Sequence, residues 1–151
     1  MTHDELIKYG VKWLKRQQGY KYTCPIITTE LVTGALEVPD ILGFSQSHSV
    51  LIECKVSHSD FLADFKKKHR KQLNGKGLGT YRFYLCPLNL IDVNEVPNDW
   101  GLLYCHMLGG GSYQKITIAK EPMTHNYDDT RIEEYYVLYS LLRRTKHHET
   151  G

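Results

Sequence analysis

The chain has no apolar run approaching the roughly 20 residues a membrane-spanning helix needs, and its N-terminus lacks a signal-peptide apolar core. Those absences predict an intracellular, cytoplasmic protein with no membrane partner. The four cysteines, Cys24, Cys54, Cys86 and Cys105, include no Cys-x-x-Cys pair, so zinc and redox chemistry drop out and buried free thiols are expected. A strong charge of one sign is also missing. Nineteen Lys and Arg against seventeen Asp and Glu leave a formal net charge of +2, so any nucleic-acid signal must come from where the charges lie. The glycine-rich stretch Asn74-Gly-Lys-Gly-Leu-Gly-Thr80 lacks the Gly-x4-Gly-Lys-Ser/Thr spacing of a phosphate-cradling loop, which argues against ATP binding. No repeat or linker splits the 151 residues, so one domain is expected over 1–146, with a flexible tail at 147–151.

What is present is a sequence that is 41% hydrophobic, enough for a folded core, organised around Val38 to Ser57. From Val50 to Ser57 apolar residues alternate so that Val50, Ile52, Cys54 and Val56 share one face of a strand and Leu51, Glu53, Lys55 and Ser57 the other. Asp40 opens the preceding apolar run, Ile41 to Phe44, and the five residues Ser45 to Ser49 suit a hairpin loop. A turn centred on Ser47 would set Asp40 opposite Cys54, on the wrong face. A one-residue offset is therefore required, with Gly43 as the place for a bulge. Two carboxylates brought to about 4 Å repel by about 4 kcal/mol at an effective dielectric of about 20. Lys55 offsets one of them, and a hard divalent cation held by Asp40, Glu53 and the backbone carbonyl of Cys54 would relieve the rest. All-oxygen ligation favours Mg2+ or Mn2+ over zinc.

Pro39-Asp40 followed by Glu53-Cys54-Lys55 within an apolar strand resembles the PD-(D/E)XK nuclease superfamily, the restriction-endonuclease-like fold. The continuation Lys55-Val-Ser-His-Ser-Asp-Phe61, the basic run Lys66 to Lys71, Tyr81-Arg-Phe-Tyr-Leu-Cys-Pro87 and Trp100-Gly-Leu-Leu103 look like a small bacterial or phage branch of it. The resemblance spans residues 3 to 105 and implies metal-dependent hydrolysis of phosphodiester bonds, with DNA as the substrate. Asp40 and Glu53 would be ligands, and Lys55 would position the water or stabilise the developing charge. An endonuclease is the expected form, and a dimer would suit cutting of both strands. A catalytically silent nucleic-acid-binding module of the same fold is the alternative.

Around this core, Thr2-His-Asp-Glu5 predicts a capped first helix ending at Gly19, with Asp4 and Glu5 serving its N-terminus. Tyr20 to Val32 reads as the first strand, with Glu30 near its end as a further catalytic acid. A second capped helix is expected from about His58 to Leu73, on which Asp64 pairs with Lys68. Its run Lys66, Lys67, Lys68, Arg70 and Lys71 is the densest positive stretch and is read as phosphate-contacting, together with Ser57, Lys76 and Arg82. Strands follow at Tyr81–Cys86, Gly101–Met107 and Gln114–Ala119, and a final helix capped by Thr130 and Glu133 carries an inner stripe of Ile132, Tyr135, Tyr136, Tyr139 and Leu142. The expected fold is α/β: a central mixed sheet flanked by helices in the order αβββαβ, with extra C-terminal strands and a helix.

Overall fold

In a computed structural model the described residues are 1–16, 20–35, 37–71, 76–109 and 113–145, with side chains left out at 65, 67–71, 113 and 114. Gly19 and the tail 147–151 lie outside them, and the first helix ends before Gly19, at Leu14 with Lys15 as its C-cap. Helix α1 (His3–Leu14) leads into strands β1 (Ile26–Thr29), β2 (Ile41–Phe44) and β3 (Ser49–Cys54), then helix α2 (His58–Lys71). Strands β4 (Tyr81–Pro87), β5 (Gly101–Leu108) and β6 (Tyr113–Lys120) follow, and helix α3 (Tyr127–Arg143) closes the order. The six described strands form one mixed sheet in sequential order. The β1–β2, β2–β3 and β5–β6 pairs are antiparallel, and β3–β4 and β4–β5 are parallel. The protein is thus α/β with helices on both sheet faces. No described helix is long and apolar enough to cross a membrane.

The alternation along β3 sorts its side chains into two cores. Val50, Ile52 and Cys54 join Phe83, Leu85, Leu103 and Cys105 beneath Leu6, Trp13 and Leu14 of α1. Leu51 joins Leu42, Tyr84, Cys86 and Leu102 on the other face, against Phe61 of α2 and Val137 of α3. Each fully buried large apolar side chain contributes about 1.5–3 kcal/mol, so the two cores hold the sheet from both sides. All four cysteines are free and buried, as the spacing predicted.

The hairpin meets the one-residue offset by its turn. Ser45 N–H donates to His48 O at 2.8 Å, and Ser49 already pairs with Phe44, so the loop is Gln46-Ser47 and not five residues. The register is unbroken, and Gly43 carries no bulge. Glycine is needed there for space: a Cβ would lie 2.7 Å from Cys24 Cβ and 3.2 Å from a Leu14 methyl.

Several boundaries depart from the sequence reading. Strand β1 is short because Tyr20 to Pro25 is taken up by an aromatic cluster, in which Tyr22 packs edge-on to Phe83 and Tyr81 and against Trp13. Helix α3 begins earlier than predicted, capped by the Asn126 side chain, which accepts from Asp129 N–H. The face of α3 is also reversed. Thr130, Glu134 and Val137 are buried, and Ile132, Tyr135, Tyr136, Tyr139 and Leu142 are exposed.

The reason is a polar cluster beneath α3. Ser49 Oγ donates to Glu134 Oε1 at 2.8 Å, while Ser49 and Thr80 exchange two further bonds through backbone N–H groups at 2.9 Å. Arg82, 0% exposed, gives its Nε–H to Gly79 O at 3.0 Å and lies in the field of Glu37, Asp99, Asp129 and Glu134. Burial of this cation among carboxylates requires an acidic helix face above it. Buried His125 sits 3.4 Å from Asp99, and desolvation, then Arg82, push its pKa below the ordinary value.

Two outcomes follow from this packing. Gly43→Ala is expected to destabilise by about 1–3 kcal/mol, read from urea unfolding midpoints, because Cys24 and Leu14 must move. His125 is depressed in the folded state, so the unfolded chain takes up the proton first as pH falls. Its stabilisation is complete above a pH of about 6.5 and is lost as pH drops through the folded value. The melting temperature of the wild type should fall more steeply below that pH than that of His125→Gln.

Candidate functional site

The C-terminal end of β3 gathers the charges that the sequence singled out. Continuing the ladder one step beyond Ile41 and Ile52 sets Asp40 opposite Glu53, on the face of Leu42 and Leu51, and Lys55 returns to that face two residues on. Cys54 N–H donates to Asp40 Oδ2 at 2.8 Å, fixing the carboxylate at the mouth of the hairpin. Burial first, then the negative charges of Asp40 and Glu53, push the Cys54 thiol well above its ordinary pKa, and Lys55 pulls the other way. All three charges thus act on Cys54.

This face is roofed and is not an open surface. Glu53 is 3% exposed, and the Lys55 ammonium, one residue past the strand, meets Asp64 of α2 at 2.9 Å. The expected partner of Asp64, Lys68, has a side chain outside the described residues. Asp64 is a member of the site that the sequence reading assigned to helix-surface pairing. Only its position nine residues beyond Lys55, on a helix returning over the strand, hinted otherwise.

A second group of polar side chains approaches from α1 and the end of β1. Glu30 stands at the end of β1 with a positive φ of 47°, its N–H shared between Pro39 O and Asp40 O at 3.0 and 3.1 Å. That close link brings the Glu30 carboxylate to His3 and Asp4, and one ligand atom from each lies within 4.8 Å of the others. His3 Nε2 is in turn 3.3 Å from Asp40 Oδ2. Of the two acids assigned to the helix terminus, Glu5 completes the capping box with Thr2, and Asp4 turns to Glu30. His3, Asp4 and Glu30 thus offer one nitrogen and two carboxylates within reach of a single point, and Asp40 touches that group through His3.

The predicted phosphate contacts are divided. Lys66 is exposed on α2, whereas the side chains of Lys67, Lys68, Arg70 and Lys71 lie outside the described residues. Ser57 Oγ accepts Asp60 N–H at 3.2 Å and so serves the helix start. Next to it His58 Nε2 meets Glu95 at 2.6 Å; Asp92 N–H and His58 hold that carboxyl below the usual range. Lys76 is exposed but precedes Gly77, whose N–H is held by Asp129 O of α3, at the end of β3 away from Glu53. Arg82 is corrected outright: a fully buried guanidinium does not reach a surface phosphate.

A basic and aromatic groove of about 360 Å3 went unnoticed in the sequence. It lies between the C-terminal half of α1 and β6, where Lys12, Arg16 and Lys115 stand among Tyr9, Trp13 and Tyr20. The Arg16 guanidinium lies 4.4 and 4.2 Å from the centroids of Trp13 and Tyr20. Lys12 is roughly 12 Å along α1 from Asp4, within one helix of the acidic cluster.

The Lys55–Asp64 pair is largely shielded from water, its side chains 12% and 24% exposed, so Asp64→Asn should lower stability by about 1–2 kcal/mol in chemical denaturation. A change indistinguishable from zero would mean that solvent screens the pair.

No family model matches the chain, and no curated protein matches it. Among solved structures it is similar to a protein of unknown function from Silicibacter pomeroyi, at 18% identity and a TM-score of 0.56, over 99% of this chain and 97% of that one. At that identity the likeness carries the fold and nothing about activity.

Proposed function

We propose that the protein is a divalent-metal-dependent nuclease with a restriction-endonuclease-like core, cleaving phosphodiester bonds of DNA. The observation that carries the reading is the hairpin register, which sets Asp40 across from Glu53 and returns Lys55 to the same face. The order helix, three strands, helix, strand supports it, as does the group of His3, Asp4 and Glu30 beside Asp40.

Asp40 and Glu53, with the Cys54 carbonyl, would hold Mg2+ or Mn2+, and Asp4 and Glu30 would complete or orient the donor set. Such a cation lowers the pKa of water and polarises a phosphoryl oxygen. Asp40 is prepared for that work because one oxygen already accepts the Cys54 N–H, which restricts the carboxylate's rotation. Lys55, held by its ion pair with Asp64, would supply a positive charge toward the transferred phosphoryl group and so act electrostatically. The cations of Lys12, Arg16, Lys66 and Lys115 would neutralise backbone phosphates, and Trp13 and Tyr20 offer rings to an unpaired base.

One observation favours the alternative, a catalytically silent nucleic-acid-binding module: the Lys55 ammonium is already engaged by Asp64, and Glu53 is almost wholly enclosed. Incubation of plasmid, linear and branched DNA with Mg2+, Mn2+ or EDTA separates the two. The nuclease reading expects metal-dependent cleavage that falls at least about 100-fold in Asp40→Asn and in Lys55→Ala with DNA retention kept, the melting temperature being unchanged in Asp40→Asn and lowered in Lys55→Ala no further than in Asp64→Asn. Retained DNA binding with no cleavage in either metal would leave the silent module.

A further inference from the structure

Helix α3 turns its apolar side away from the protein. Ile132, Tyr135, Tyr139 and Leu142 are each more than half exposed and recur at spacings of three, four and three residues, a coiled-coil seam. Tyr136 and Leu138 flank the seam and are both partly bare. A surface helix of a monomer carries charged residues along this line, so the stripe is built for contact.

We propose that α3 is the interface of a homodimer, pairing antiparallel with α3 of a second copy across a two-fold axis. Three features identify that occupant. The first is charge: exposed Asp128 occupies the first turn, and Arg143 the last with Arg144 as the C-cap, so an antiparallel copy sets acid against base at both ends of the seam. A parallel copy would set like against like. Asp128 is available for this, because its exposed contact with Arg131 is 4.0 Å long. The second is the helix macrodipole, which also favours antiparallel neighbours. The third is area: the exposed tyrosines with Ile132, Leu138 and Leu142 offer on the order of 600 Å2 per copy, close to the ~800 Å2 per partner of a stable interface. With 17 residues, α3 gives a seam roughly 25 Å long, enough for two heptads. The pairing stands on this surface alone and holds whether or not the protein cleaves DNA.

Sedimentation velocity of the full chain over the micromolar range tests it. The wild type should sediment with the mass of two chains, and Tyr135→Glu combined with Tyr139→Glu with the mass of one, at unchanged far-ultraviolet circular dichroism. Asp128→Lys and Arg143→Glu should each weaken self-association at least tenfold, and an equimolar mixture of the two should form a heterodimer, since each new charge then faces its opposite. A wild type that stays a single chain throughout the range overturns the proposal. So does a dimer indifferent to the tyrosine changes, or a monomer whose tyrosines instead prove necessary for binding single-stranded DNA.

Discussion

The register of the β2–β3 hairpin is the constraint on which the candidate site depends. A slip of one residue would carry Asp40 to the face of α1 and separate it from Glu53. Hydrophobicity alone does not prevent that slip, because both faces of β2 and β3 are buried and apolar residues would still meet apolar residues. Three contacts do. The Ser45–His48 turn sets the phase, with Ser45 Oγ 2.9 Å from His48 Nδ1; Gly43 alone fits against Cys24; and Asp40 caps the Cys54 N–H. A catalytic geometry in this protein would thus be a by-product of local turn chemistry and one close backbone approach.

Strand β3 also divides the polar interior in two. Its N-terminal end, at Ser49, anchors a network with Thr80, Arg82 and Glu134, and its C-terminal end carries Glu53 and Lys55. Between them Val50, Leu51 and Ile52 are 0% exposed. Buried charge is costly unless matched, and each end recruits a helix to match it: α3 supplies Glu134 and α2 supplies Asp64. The helices over this sheet face are thereby held by polar demands as well as by Phe61 and Val137. In α3 those demands outweigh the apolar stripe, whose tyrosines are left facing outward.

Periodicity in the sequence was enough to establish the order of helices and strands, the alternation of β3 and the need for an offset hairpin. These are local properties: turn residues, capping pairs such as Thr2 with Glu5, and the two-residue period of a strand act over a few positions. The place of Glu30 at the end of β1 was legible for the same reason, just before the turn that leads to Asp40.

Tertiary structure decided the remainder, because it concerned partners distant in the chain. Nothing near Arg82 in sequence announces that Glu134 will lie above it, so its guanidinium reads as a surface cation until the packing encloses it. The pairing of Lys55 with Asp64 depends on where α2 returns over the sheet, and the gathering of His3 and Asp4 with Glu30 on how α1 crosses it. The facing of α3 is the plainest case. An amphipathic pattern says that one side of a helix differs from the other, but which side turns inward is set by what the rest of the protein needs covered, and here it was a buried arginine.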